Sequence, residues 1–183
     1  MSRIFAALFV SGACLAFAGA QEITSGLAVG KGPTPFHPLN VTGEYAGQKN
    51  CIVCDYGGSP VAGVFARKDS ESLTKLIKQL DAASSKGVKS FVIYLSDDEN
   101  APKHLKAYAD KNDIKNTVLA VDNITGPKAW AIAKDAEVTV VLYNRRKVEA
   151  NHVFGAGKIN SQGVEAVLAD LPKILVKSAD TNE

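Results

Sequence analysis

The chain has 183 residues, 46% of them apolar and 22% charged, with a formal net charge of +2. A chain of this length builds a full core as one domain and needs no cross-link for stability. Its acidic and basic residues are interspersed, which excludes the basic stripe of a nucleic-acid binder or a membrane-surface protein.

The first element is an address. Arg3 precedes an apolar run from Ile4 to Phe17, and Ala18-Gly19-Ala20 then gives a small-x-small cleavage pattern before Gln21. Residues 1–20 therefore read as a secretory signal, too short for a transmembrane helix, which takes roughly 20 apolar residues. A lipid anchor at Cys14 is disfavoured, because Ser11 stands where a large aliphatic residue is expected and more apolar sequence follows. The expectation is a periplasmic or secreted protein with no stable membrane anchor. Cleavage removes Arg3, taking the charge from +2 to +1, and removes Cys14, so that only Cys51 and Cys54 remain. In an oxidising compartment a disulfide is the default state of such a pair.

Residues 21–58 form a loop-rich N-terminal arm carrying Cys51-Ile52-Val53-Cys54, with Gly and Pro too frequent for long helices and one short strand expected within Phe36 to Val41. Residues 59–177 read as an α/β core, followed by a polar tail at 178–183. Val61 to Arg67 is a strand-type apolar run after Pro60. Leu73, Leu76, Ile77, Leu80 and Ala83 repeat at helical spacing behind the capping residues Asp69 and Ser70, and Gly87 stops a helix over about 70–86. Phe91 to Leu95 is a continuous apolar strand, as in a parallel sheet covered on both faces. A second helix opens near Asn100 with Pro102 in its first turn and turns Leu105, Tyr108 and Ala109 inward. Thr117 to Val121 reads as a strand, and Gly126-Pro127 starts a brief helix through Trp130 and Ala133. Val138 to Tyr143 and Lys147 to Phe154 form a hairpin around Asn144-Arg145-Arg146. A last helix over about 161–176 buries Val164, Val167, Leu168, Leu171 and Leu175. The order of elements makes an α/β sandwich around a mixed sheet flanked by helices. Phe65, Phe91, Tyr94, Trp130 and Tyr143 are its expected aromatic core.

Val29-Gly30, Pro35-Phe36 and Val41-Thr42-Gly43 in the arm, Gly63-Val64-Phe65-Ala66-Arg67 as first central strand, and Glu137 to Val148 as closing hairpin carry a family resemblance. The region from Val29 to Leu175 resembles the thioredoxin-like superfamily, in its peroxiredoxin and extracytoplasmic thiol-disulfide oxidoreductase branch. The resemblance implies a thioredoxin-like fold and a reactive cysteine just after the first central strand, where a helix N-terminus lowers its pKa. This chain departs from that pattern: Ala66-Arg67-Lys68-Asp69-Ser70 contains no cysteine, and Val138 stands at about the place of the family's cis-proline. Cys51 and Cys54 precede the strand, which at about 3.3 Å per residue puts them roughly 20 Å from that corner and without its helix N-terminus.

Three chemistries stay open for the pair. As a staple it closes a small loop, giving less than the ~3 kcal/mol of a 15-residue one. As a redox centre, one thiolate attacks the disulfide of a protein partner and the other resolves it, which this spacing suits. As a copper or zinc site, the thiolates need further ligands from His37, His104 or His152. A c-type haem is disfavoured, since Asp55 replaces the histidine that follows Cys-x-x-Cys. No Ser-His-Asp order, phosphate loop or carboxylate pair points to another reaction, and no cofactor is expected.

Overall fold

The computed structural model describes residues 23–175. The signal at 1–20, Cys14 and the tail at 178–183 lie outside the described residues. The elements, in chain order, are β1 Leu39–Asn40, α1 Ile52–Tyr56, β2 Val61–Ala66, α2 Glu71–Ala82, β3 Lys89–Leu95, α3 Ala101–Asn112, β4 Val118–Asp122, β5 Ala136–Asn144, β6 Lys147–Gly155 and α4 Ser161–Leu175.

Among the described residues six strands form one mixed sheet in the order β1-β4-β3-β2-β5-β6. β2, β3 and β4 run parallel, while β1 pairs antiparallel to β4 and the β5–β6 hairpin closes antiparallel to β2. Every residue of β2 is buried, because both faces of a central strand are covered. Its alternation divides the core in two. Ala62, Val64 and Ala66 face Leu73, Leu76 and Ile77 of α2, Leu105 of α3 and Val164 and Val167 of α4. Val61 and Phe65 face the other way, onto Phe36 of the arm, Cys51, Ile52 and Val53 around α1, and Trp130. The arm and α1 thus form the second cover of the sheet. Gly63 permits this layer, since a Cβ there would stand 2.5 Å from Phe91 Cζ.

Local signals explain most boundaries. Ser70 caps α2 by accepting the Leu73 N–H at 3.1 Å, and Gly87 ends the following 3₁₀ turn at φ +82°. Arg145 and Arg146 both have positive φ, 48° and 61°, which is the backbone of a two-residue primed turn that matches strand twist. The helix expected through Ala133 is shorter: a 3₁₀ turn covers Lys128–Trp130 and Ala131 enters the left-handed region at φ +52°. In α4 the buried apical position is Ile174, while Leu168 and Leu175 pack only at the margin. Tyr94 is likewise half-buried; the other four expected aromatics are fully buried.

One anchor was not expected. Asp81 at the end of α2 accepts the backbone N–H groups of Lys115 at 3.1 Å, Asn116 at 2.7 Å and Thr117 at 2.8 Å on Oδ1, and the Asn116 amide on Oδ2. It thereby ties the entry of β4 to the helix layer. Desolvation opposes the Asp81 charge, but these hydrogen bonds outweigh it and hold the carboxyl below its ordinary pKa.

Candidate active site at the Cys51–Cys54 pair

The arm reaches the pair through a β-bridge between Leu39 and Lys49, after which Cys51 is extended at φ −85° and ψ 90°. The chain then winds into α1, with the Cys54 and Asp55 N–H groups both donating to the Cys51 carbonyl at 3.0 and 3.1 Å. Cys51 is the N-cap: its Sγ accepts the Cys54 N–H at 3.2 Å. Gly57, at φ +54°, ends the turn after five residues. A disulfide joins Cys51 to Cys54 across this turn, with the Cα atoms 5.2 Å apart.

The pair stands away from the helix that follows β2, as the sequence order implies, but the sequence shows no sign of the separate short turn that it opens. The reason is local. The five residues of α1, Ile52–Tyr56, are too few to show a 3.6-residue period, and the turn is held by tertiary contacts rather than by propensity. Ile52 and Val53 are 2% and 0% exposed and join the second core layer. The Tyr56 hydroxyl donates to the Ser90 carbonyl at 3.0 Å, and the Arg145 N–H donates to the Gly58 carbonyl at 3.3 Å. Asn50 Nδ2 donates to the Asp55 carboxylate across the front of the turn. Burial, with the nearby Asp55 charge, pushes the Tyr56 hydroxyl well above its ordinary pKa, so it stays a neutral donor.

Beneath the turn lies an aromatic floor. Phe65 and Trp130 stand 5.0 Å apart between ring centroids, Phe36 and Trp130 5.5 Å, and Tyr56 and Phe91 6.4 Å. Trp130 is fixed by its indole N–H, which donates to the Thr34 carbonyl at 2.9 Å. Packing on this floor leaves Cys51 only 6% exposed, whereas Cys54 is exposed. Beside the turn, Ile52, Asp55 and Tyr56 share a cleft of about 280 Å³ with Asn40, Thr42 and Tyr45, and the buried Asn40 Oδ1 there has no hydrogen-bond partner among the described residues.

The bonds to Ser90 and Gly58 place the pair at the end of the sheet where β2 and β3 begin, opposite Arg67. At the far end, the corner after β2 is filled by Arg67. Its Nε donates to the Ala136 carbonyl at 3.0 Å, Nη1 to Ile124 at 2.5 Å and Nη2 to Ala133 at 3.1 Å. This fork closes the loop between β4 and β5 over the corner. Among the described residues no peptide bond is cis, and Val138 stands opposite Ala66 in the ladder. Beside the corner a 130 Å³ cavity is lined by Asp69, Tyr94, Ser96, Asp98, Ala101, His104 and Leu105. Burial pushes the Asp69 carboxyl up in that setting.

The structure does not bring the histidines to the cysteines. His37 is exposed in the arm, His104 lines the cavity beside the corner, and His152 Nε2 lies 3.1 Å from Asp170 Oδ2 between β6 and α4. No group of three or more His, Cys, Asp or Glu side chains gathers around a metal position among the described residues. Among the described residues the two sulfurs thus have no third ligand of these types beside them, whereas a structural zinc site takes four.

No protein-family model matches the chain, and no curated protein matches it. Solved structures do. An uncharacterized conserved protein from Geobacillus kaustophilus superposes with a TM-score of 0.64 at 18% identity, over 81% of this chain and 82% of that one. A putative thiol:disulfide interchange protein DsbE from Chlorobium tepidum gives 0.62 at 18%, over 82% of this chain and 99% of that one. A mutant peroxiredoxin 6 from Arenicola marina gives 0.57 at 10%, over 80% and 73%. At such identities the likeness establishes a shared fold.

Proposed function

We propose, on the premise that this chain has the thioredoxin-like fold, that it is an extracytoplasmic thiol-disulfide exchange protein whose working pair is Cys51 and Cys54. The observation that carries this reading is the disulfide across the first turn of α1, which puts one exposed sulfur and one capping sulfur in the same bond. In the exchange, a thiolate of a partner protein attacks one sulfur, a mixed disulfide forms, and the other cysteine leaves as a thiolate. The partner's second thiolate then attacks its own mixed-disulfide sulfur and releases the protein as a dithiol. Two electrons pass to the Cys51–Cys54 pair, and two protons leave the partner thiols. The corner after β2 takes no part, because it offers the Arg67 fork and no sulfur.

The location rests on the apolar run from Ile4 to Phe17 with its small-x-small site, and on a cysteine pair that an oxidising compartment keeps joined. A structural staple is the second reading, favoured by the 6% exposure of Cys51. The test is oxidation of a dithiol peptide under a glutathione-disulfide buffer, with the protein in catalytic amount. The wild type accelerates peptide oxidation about tenfold or more and the Cys51→Ser/Cys54→Ser double variant does not. Equal rates for the two proteins would overturn the proposal.

A further inference from the structure

We infer that the two sulfurs have fixed and unequal roles, with Cys54 the sulfur that bonds to the partner and Cys51 the internal one that leaves and resolves. The inference rests on the exchange reading above and deepens it.

Two independent observations point the same way. The first is access. Exchange requires a thiolate to approach one sulfur in line with the bond it breaks, so the attacked sulfur must be open to a second protein. Cys54 is exposed. Cys51 is 6% exposed and belongs to the layer of Phe36, Ile52, Val53, Phe65 and Trp130, which admits no partner chain without lifting α1 off the sheet. The second is the leaving group. When the bond breaks after attack at Cys54, the negative charge appears on Cys51 Sγ, which already accepts the Cys54 N–H at 3.2 Å. A charge-assisted hydrogen bond is stronger than the neutral one it replaces, so breakage in this sense is the favoured one. Attack at Cys51 would instead expel Cys54, an exposed residue that precedes Asp55 in the chain.

The steps balance. A partner thiolate forms an S–S bond to Cys54, the Cys51–Cys54 bond breaks, and Cys51 keeps the electron pair. Partner oxidation completes when the partner's second thiolate displaces Cys54, which takes up a proton. In the opposite direction, the Cys54 thiolate attacks a partner disulfide and the Cys51 thiolate then attacks Cys54, releasing the partner as a dithiol. Cys54 carries the mixed disulfide in both directions.

The experiment uses the oxidised wild-type chain with reduced glutathione as probe, acid quenching within seconds, alkylation of free thiols and peptide mapping of the adduct. Glutathione is expected on Cys54 over Cys51 by about tenfold or more, with alkylated Cys51 in the same molecules. Reduced Cys51→Ser and Cys54→Ser variants provide the second arm. The remaining thiol of Cys51→Ser reacts with glutathione disulfide about tenfold or more faster than that of Cys54→Ser when folded, and at the same rate in guanidinium. Glutathione found chiefly on Cys51 would overturn the inference and leave the exchange reading standing. No adduct on either sulfur would overturn both.

Discussion

Replacing Asp81 by alanine removes the acceptor for three consecutive backbone N–H groups, and the cost can be apportioned. Thr117 is 2% exposed, so its N–H is left buried and unpaired, at about 1–3 kcal/mol. Lys115 and Asn116 are exposed and their N–H groups can turn to water, which limits each loss to about 0.5–1 kcal/mol. The sum is about 2–5 kcal/mol, or at about 2–4 °C per kcal/mol a fall in Tm of roughly 4–20 °C. Asp81→Asn keeps an acceptor but loses the charge, and it gives the pH signature. The folded carboxyl is held below its unfolded pKa, so its contribution is complete above the unfolded value of about 4 and is lost as pH falls through the folded value. Thermal melts followed by circular dichroism from pH 7 to pH 2 should show wild type above Asp81→Asn at neutral pH, with the gap closing in acid. A gap that stays constant over that range, or an alanine variant within 0.5 kcal/mol of wild type (a threshold at about the scatter of surface substitutions), would refute the reasoning.

Three further outcomes follow from single contacts. Gly63→Ala drives a methyl against Phe91 and should cost about 1–3 kcal/mol, read as a lower denaturation midpoint at unchanged slope; an unshifted midpoint rejects the close approach. Arg67→Met frees the carbonyls of Ile124, Ala133 and Ala136, so amide exchange between β4 and β5 should quicken while the rate of Cys51–Cys54 reduction stays at the wild-type value; a changed reduction rate contradicts the separation of the two ends. Tyr56→Phe removes the bond to the Ser90 carbonyl and should cost about 0.5–1.5 kcal/mol at pH 7, measured by urea titration; a stabilised variant would show that this bond does not hold α1.

What was legible in the chain was whatever repeats. The period of Leu73, Leu76, Ile77 and Leu80 marked α2, with Ser70 as its cap, and the paired apolar runs around Arg145 and Arg146 marked the hairpin. What escaped was made by contacts between residues far apart in sequence. Asp81 meets partners 34–36 residues away, and the Arg67 fork meets carbonyls 57–69 residues away. Neither leaves a local pattern. The site was half visible: Cys51 and Cys54 stood out by spacing, and their distance from the corner after β2 followed from the length of one strand. Their place at the start of a helical turn did not, because α1 is pinned by Ile52 and Val53 below and by Tyr56 at its end rather than by helix propensity.

The most direct test of the account is the reduction potential of the Cys51–Cys54 pair in the folded chain, by thiol trapping across glutathione and dithiothreitol buffers. Exchange chemistry predicts a value between about −120 and −270 mV, with Cys54 alkylated readily once reduced. A value below about −300 mV, with neither thiol reacting while the chain is folded, would contradict the account and leave the disulfide as a staple of α1.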